Sequence, residues 1–364
     1  MNDIRPRVDE FCRRFGLRVP ILLAPMASTA APALSVAVAH EGGLGACGVL
    51  LMRAQEIHAW AREVRAAGAA AFQLNTWIPD PPARRDAAHE ARIRAFLAEW
   101  GPPVPPDAGN ATPPDFALQC EAMLAVGPRV ISSIMGLYPG PFITALKERG
   151  VAWFAAVTTV AEARAAEAAG ADVVVAQGME AGGHRGCFEA SQAEARMVGL
   201  MALLPAIVDA VRVPVVAAGG IADGRGMAAA LVLGASAVQI GTGFLRCPEA
   251  GIAPAWAAAL ARTAPEDTIV SRVFSGRAGR SIATDYVLAA NAPSAPAPAP
   301  YPVQRGLTSA MRNAATKSGD VQGMPAWAGQ SASLARAEPA AQLMRRIWQD
   351  ARALLGGSAT ELRE

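Results

Sequence analysis

The sequence predicts an α/β fold, an eight-stranded parallel β/α barrel of the TIM type with inserted and appended cap segments. Three observations carry this. Short β-branched runs alternate with Ala-rich helical stretches from Pro20 to about Leu260, which is the pattern of parallel βα units. Eight such runs follow one another, more than a doubly wound sheet usually strings together. The apolar runs within Asp172–Ala176 and Pro214–Ala218 suit strands covered on both faces.

In chain order the expected strands are Ile21–Ala24, Leu44–Cys47, Ala70–Asn75, Arg129–Ser133, Ala152–Ala156, Asp172–Ala176, Pro214–Ala218 and Ala235–Ile240. Gly43, Gly45 and Gly48 satisfy G-x-G-x-x-G, but the preceding Pro32–Glu41 has helical rather than strand periodicity. These glycines therefore read as the end of a helix and the start of the second strand, not as a dinucleotide fingerprint. Residues 78–115 are too rich in proline for one helix, although Arg84–Trp100 within them is compatible with one. Such an insertion after the third strand would sit over the barrel mouth. The stretch Asn291–Pro302 alternates proline with small residues and predicts an extended spacer. Leu334–Leu355 returns to an amphipathic helical pattern. The expected organisation is a barrel over 1–250, a smaller cap with the spacer over 251–324, and helices returning to the barrel over 325–356.

Composition narrows the function classes. The 364 residues are 52% hydrophobic, 18% charged and carry a net charge of +2, so no basic field for nucleic acid is expected. The apolar excess lies in Ala, Gly and Val without an unbroken run of about 20, so no membrane span is expected. Acidic Asp9 and Glu10 among the early arginines argue against a signal peptide and for a cytoplasmic protein. Cys12, Cys47, Cys120, Cys187 and Cys247 are widely spaced without C-x-x-C, and the four histidines lack H-x-x-x-H. Reduced, buried thiols and no metal follow. Chemistry must then come from an organic cofactor or isolated side chains.

Two glycine loops follow the seventh and eighth expected strands, Gly219-Gly220-Ile-Ala-Asp-Gly224 and Gly241-Thr242-Gly243. In such barrels these loops, with a helix N-terminus, commonly take phosphate on backbone N–H groups; tight turns alone would also want glycine. After the sixth strand, Gly182 and Gly183 place His184 on an irregular loop at the catalytic end. An imidazole there can donate, accept or abstract a proton. His40, His58 and His89 lie in helical or charged stretches and read as surface or packing residues.

With these motifs in hand the chain resembles the FMN-dependent nitronate monooxygenases, formerly 2-nitropropane dioxygenases, along nearly its whole length. The resembling blocks are Pro25-Met26 in ILLAPMA, Asn75 of the third strand, GMEAGGHRG, AAGGIADGRGMAAALVLGASAVQIGT, SGRAGRS at 275–281, YPVQRGLTSAMR at 301–312 and WAGQ at 327–330. The last blocks resemble the class I branch, whose motif reads Y-P-x-x-N-x-x-T-x-x-x-R; here Arg305 stands at the Asn position. The resemblance implies FMN at the barrel mouth, its phosphate held by Gly219, Gly220, Gln239, Gly241 and Thr242. It also implies that Met26, Asn75, Gln177 and Gly182 line the ring and ribityl chain. The implied reaction is oxidation of an alkyl nitronate by flavin and O2 to a carbonyl compound and nitrite, with His184 as the catalytic residue.

Propionate 3-nitronate is one such substrate, and its carboxylate needs a cation or several donors. The chain has only two lysines, Lys147 and Lys317, so an arginine is expected, and its planar fork suits a carboxylate. Arg305 and Arg312 both follow the Pro-rich spacer, and Arg305, at the family's Asn position, is the candidate, with Tyr301 the donor carried over from the family. Two alternatives stand beside this reading. One is an FMN barrel of the same superfamily reduced by NAD(P)H, such as an enoyl or quinone reductase, against which the late Y-P and W-A-G-Q blocks speak. The other is a non-catalytic phosphate-ligand-binding barrel, whose purified protein would be colourless.

Overall fold

Alternation of short apolar strands with amphipathic helices produces a closed parallel barrel in the computed structural model, which describes residues 4–29 and 31–356. Residues 1–3 and Ala30 of the expected barrel segment lie outside the described residues. Helix α1 (Arg5–Phe15) precedes β1 (Ile21–Leu23), α2 (Pro32–His40), β2 (Gly45–Gly48), α3 (Ala54–Ala66) and β3 (Phe72–Trp77). Then come α4 (Ala87–Leu97), α5 (Phe116–Val126), β4 (Val130–Ile134), α6 (Gly140–Glu148), β5 (Ala152–Val157), α7 (Val160–Ala168) and β6 (Val173–Gln177). A two-residue strand β7 (Gly183–His184) leads to α8 (Leu200–Val208), β8 (Val215–Ala218), α9 (Gly224–Val232) and β9 (Ala237–Ile240). All eight expected barrel strands are present within a few residues of their expected bounds.

The sheet runs β1-β9-β8-β6-β5-β4-β3-β2, every pair parallel. A parallel bridge between Leu22 and Leu44 closes it, with Leu23 N donating to Leu44 O at 2.9 Å and Leu44 N to Ile21 O at 3.1 Å. Fully buried side chains such as Ile21, Leu22, Phe72, Val174 and Val216 belong to one continuous apolar core.

The G-x-G-x-x-G run has a packing explanation. A Cβ at Gly45 would lie 2.7 Å from Ser35 O, and one at Gly48 2.9 Å from Ala27 N. Side-chain-free positions thus let α2 press onto β2, where Ser35 Oγ bonds Ala46 at both its O (2.6 Å) and N (3.0 Å). No dinucleotide role is needed to account for them.

After the barrel come α10 (Pro254–Arg262), β10 (Thr268–Ser271), β11 (Gly279–Ile282), α11 (Asp285–Ala290), α12 (Val303–Leu307), α13 (Ser309–Ser318) and α14 (Ala340–Leu354). A small antiparallel sheet, β10-β11-β7, joins this region to the loop after β6. Ile93 and Leu97 of the Pro-rich insertion bury against Val273, Phe274, Tyr286, Val303 and Leu307 in a separate apolar cluster. A buried pair, Arg277 with Asp80 at 2.6 Å, ties the insertion to the same region. Helix α14 returns to the barrel and packs on α2 and α9, burying Leu343, Met344 and Ile347. All five cysteines are buried and free, and burial pushes the thiols of Cys12, Cys47, Cys120 and Cys247 up to about 12. Among the described residues no helix is long and apolar enough to cross a membrane.

One polar network crosses the barrel interior. Gln73, fully buried on β3, donates through Nε2 to Leu23 O (3.0 Å) and to Gln239 Oε1 (3.2 Å). Its Oε1 accepts from Ser132 Oγ at 3.0 Å, and Ser132 Oγ accepts from Asn75 Nδ2 at 3.0 Å. Replacing Gln73 with Leu keeps the bulk but strands these partners in a dry interior, so stability should fall by about 2–3 kcal/mol. Urea unfolding checks this as a lowered midpoint at unchanged slope.

Candidate active site

The C-terminal ends of the barrel strands surround a cavity of about 310 Å³, within the roughly 300–1,000 Å³ range of small-molecule sites. Its wall gathers His184, Met26, Asn75, Gln177, Gly182, Gly219, Gly220, Gln239, Gly241, Thr242 and Arg305. These residues are far apart in sequence; the barrel topology puts one turn of each βα loop at the same mouth. Tyr301 does not share this wall. It lines an adjoining outer pocket, with its ring 5.3 Å from that of Trp77, which faces the main cavity.

The network below the cavity orients its amides. Because Gln73 donates to Gln239 Oε1, the Gln239 Nε2 group keeps donors free for a ligand, while Asn75, which donates to Ser132, keeps Oδ1 as an acceptor. Gln177 is used differently. Its Nε2 donates to His184 O (3.1 Å) and its Oε1 accepts from Gly186 N (2.8 Å), clamping the loop that carries the histidine.

Glycine at 182 is a matter of space. A Cβ there would collide with Gly329 N and lie 2.9 Å from Thr242 Oγ1, and Gly329 N donates to that hydroxyl at 3.0 Å. The WAGQ segment is thereby seated against both the loop after β6 and the loop after β9. Gly219 and Gly220 have φ of 112° and 69°, a region L side chains avoid. The N-terminus of α9 is already capped, since Asp223 accepts from Arg225 N (3.0 Å) and Gly226 N (3.1 Å). An anion at this end must therefore meet the glycine turns rather than the start of α9.

His184 is half-buried between two indoles, its ring 4.6 Å from that of Trp77 and 4.6 Å from that of Trp327. Strand β7 fixes its backbone, pairing His184 with Gly279. Nε2 lies 2.8 Å from Ser275 Oγ, which itself donates to Arg277 O (3.2 Å) and accepts from Arg277 N (3.2 Å). That arrangement assigns the proton to Nε2 and leaves Nδ1 as an acceptor. Burial, then the guanidiniums of Arg277, Arg305 and Arg312, push the imidazole down to about 3. The ring is neutral throughout the physiological range.

The surrounding charge is uneven. Arg277 is paired with Asp80. Arg312 instead donates to Thr308 Oγ1 (3.0 Å) and Arg305 O (2.8 Å), and burial, with Arg305 nearby, lowers it to about 10. Arg305 and Arg312 both line the cavity without a carboxylate partner among the described residues. Trp256 adds a buried indole N–H that has no acceptor there. Glu180, the acid in the same wall, is engaged by Leu200 N at 2.8 and 3.1 Å. The two guanidiniums and the Trp256 N–H offer donors to an anionic ligand.

Reasoning from sequence missed Gln73, Ser132 and Trp77, met Ser275 and Trp327 only inside the resembling blocks, and named Arg312 beside Arg305 while preferring Arg305. Gln73 and Asn75 alternate along Phe72–Trp77, a period-two signal that could have placed both inside the barrel. Ser275 and the two indoles had no such signal.

Comparison with known proteins agrees with this geometry. The family model for nitronate monooxygenase matches residues 11–350. The chain is 39% identical over 343 residues to a nitronate monooxygenase of Paraburkholderia phytofirmans, covering 91% of this chain and 92% of that one. It is 38% identical over 350 residues to a nitronate monooxygenase of Pseudomonas aeruginosa, covering 94% and 99%. A solved structure of nitroalkane oxidase from Streptomyces ansochromogenes superposes with a TM-score of 0.85 at 34% identity, covering 95% of this chain and 99% of that one. The chain belongs to the nitronate monooxygenase family, flavin-dependent oxidoreductases acting on nitronates.

The histidine gives a test by linkage. Its value falls from 6.5 to about 3 on folding, so below 6.5 the unfolded chain binds a proton the native state refuses. Stability from this site is complete above 6.5 and declines as the pH drops towards 3. His184→Asn should flatten the stability profile across that window, read by denaturant unfolding at a series of pH values.

Proposed function

We propose that the protein binds FMN in the main cavity and oxidises alkyl nitronates with O2 to a carbonyl compound and nitrite, propionate 3-nitronate among them. The observation that carries this reading is a neutral imidazole set beside two unneutralised arginines. The residues fit the cofactor. Glycine turns at Gly219–Gly220 and Gly241–Thr242 would take the phosphate, and Met26, Asn75, Gln177, Gly182 and the donor-free-to-bind Gln239 would face the remaining polar edges and chain. Bound FMN supplies the electron acceptor and the route to O2.

The protein's own share is selection and proton control. A nitronate is already a carbanion equivalent, so Arg305 and Arg312 need only hold its charge while the indoles of Trp77 and Trp327 keep water from the histidine. A neutral nitroalkane must first lose an α-proton, and Nδ1 of His184 is the acceptor available. An imidazole held down to about 3 gains little from taking that proton, which makes the neutral compounds the slower substrates. The arginines that depress the histidine also favour the anion.

The deciding experiment is anaerobic mixing with propionate 3-nitronate and, separately, with NADH. Bleaching of the flavin by the nitronate supports the proposal; bleaching by NADH alone would make the protein a nicotinamide-linked reductase, and a colourless protein would sink both. Denaturation should release FMN, with stoichiometric FAD as the contrary result. Gly219→Leu should empty the site, because a side chain at that backbone conformation blocks approach to the turn. His184→Asn should keep the flavin but lower kcat by about 10²-fold on neutral nitroalkanes, and less on nitronates. For Arg305→Ala the Michaelis constant for propionate 3-nitronate should rise about tenfold more than that for an alkyl nitronate without a carboxylate.

A further inference from the structure

The outer pocket, about 420 Å³, lies between the Pro-rich insertion and α12 and shares Leu51 and Arg305 with the main cavity. Its position results from one close contact. A Cβ at Gly306 would collide with Ala108 O and lie 2.8 Å from Ala111 Cβ, so glycine there lets α12 dock against the insertion, and Arg305 and Thr112 line the same pocket. Pro113, Pro114 and Pro302 occupy the wall and bring no backbone N–H. Thr112 Oγ1 is turned back to its own chain, donating to Asn110 O at 3.2 Å. The hydrogen-bond donors that remain for a ligand are mainly the guanidiniums of Arg53 and Arg305, with Tyr301. Neither arginine side chain has a carboxylate within ion-pair distance among the described residues; the contact of Arg53 with Glu56 runs through its backbone N. Between the two cavities stands Leu51, 43% exposed, an apolar divider suited to methylene groups.

We infer that the outer pocket is a carboxylate subsite, in which Arg53 and Arg305 hold the far end of an extended aliphatic acid whose reacting end lies in the main cavity. The inference rests on the nitronate reading of that cavity and extends it: the preferred substrates are ω-carboxy nitronates long enough to pass Leu51, with Arg305 shared between the two ends. Two guanidiniums lining a pocket with three prolines in its wall favour a planar, bidentate acceptor. Arg53 stands at the N-terminal boundary of α3, two residues after Leu51.

The test uses the purified flavin-loaded enzyme and unreactive straight-chain dicarboxylates from succinate to suberate, with binding followed by calorimetry. Affinity should climb with chain length to an optimum and then decline. Arg53→Ala, at an exposed position, should abolish the climb and weaken the optimal diacid by about tenfold; Arg53→Lys should recover part of it. The same variant should raise KM for a long ω-carboxy nitronate more than for propionate 3-nitronate. Affinity that is unaltered by Arg53→Ala at every length, or lowered equally at every length, overturns the inference. Turnover of an alkyl nitronate by the unsubstituted enzyme reports separately on the parent reading, since diacid binding needs no reaction.

Discussion

Everything at the mouth of this barrel rests on a buried amide, Gln73, whose polar atoms are all bonded within the interior. It reaches Leu23 on β1, Gln239 on β9 and Ser132 on β4 from its own place on β3, so it joins both sides of the closure between β1 and β2. A polar side chain in a dry core is tolerated only when satisfied. Satisfying Gln73 leaves no freedom in the amides above it. Gln239 must present its nitrogen and Asn75 its oxygen to the cavity, and the donor-acceptor pattern met by a ligand is therefore set below the ligand.

Upon that floor, the walls are positioned by positions where a side chain would not fit. Gly182 admits the Gly329 backbone, and Gly306 admits the insertion. The first contact seats Trp327 beside His184; the second builds a further chamber. Charge is distributed by the same packing. Asp80, carried on the insertion, reaches Arg277 and offsets part of its charge, whereas among the described residues no acid pairs with Arg312, whose guanidinium is held by a hydroxyl and a carbonyl.

The barrel was legible because its signal is periodic. Runs such as Val173–Gln177 and Val215–Ala218 are buried throughout, and the two-sided cover that demands this also makes them unmistakable as strings of apolar residues. The sheet β10-β11-β7 carries no comparable pattern. Strand β7 is Gly183–His184, and β11 begins Gly279-Arg280; such short polar segments are strands only because a partner from another part of the chain lies alongside. Candidate residues on the glycine loops and the histidine could be read because loop position and residue type coincide. The contacts of Arg312 and Ser275 could not. Their roles depend on what stands across from them, Thr308 for one and the Arg277 backbone for the other, and sequence order does not contain that information. Arg53 and Arg305, separated by most of the chain, face one pocket for the same reason.

The division of labour between imidazole and arginines follows from a single dielectric argument. Removing water strengthens every charge interaction in the pocket, so the guanidiniums that attract an anion must also repel a proton on the nearby ring. Those two effects cannot be tuned separately while Arg277, Arg305 and Arg312 remain within reach of His184. A site built this way gains affinity for a substrate that arrives already ionised and loses basicity towards one that does not. Pairing Arg277 with Asp80 moderates the field without abolishing it, which leaves Arg305 and Arg312 as the charges an incoming anion can neutralise. Their neutralisation by the substrate would in turn relieve the histidine, and the imidazole becomes a better proton acceptor only once the anion is in place.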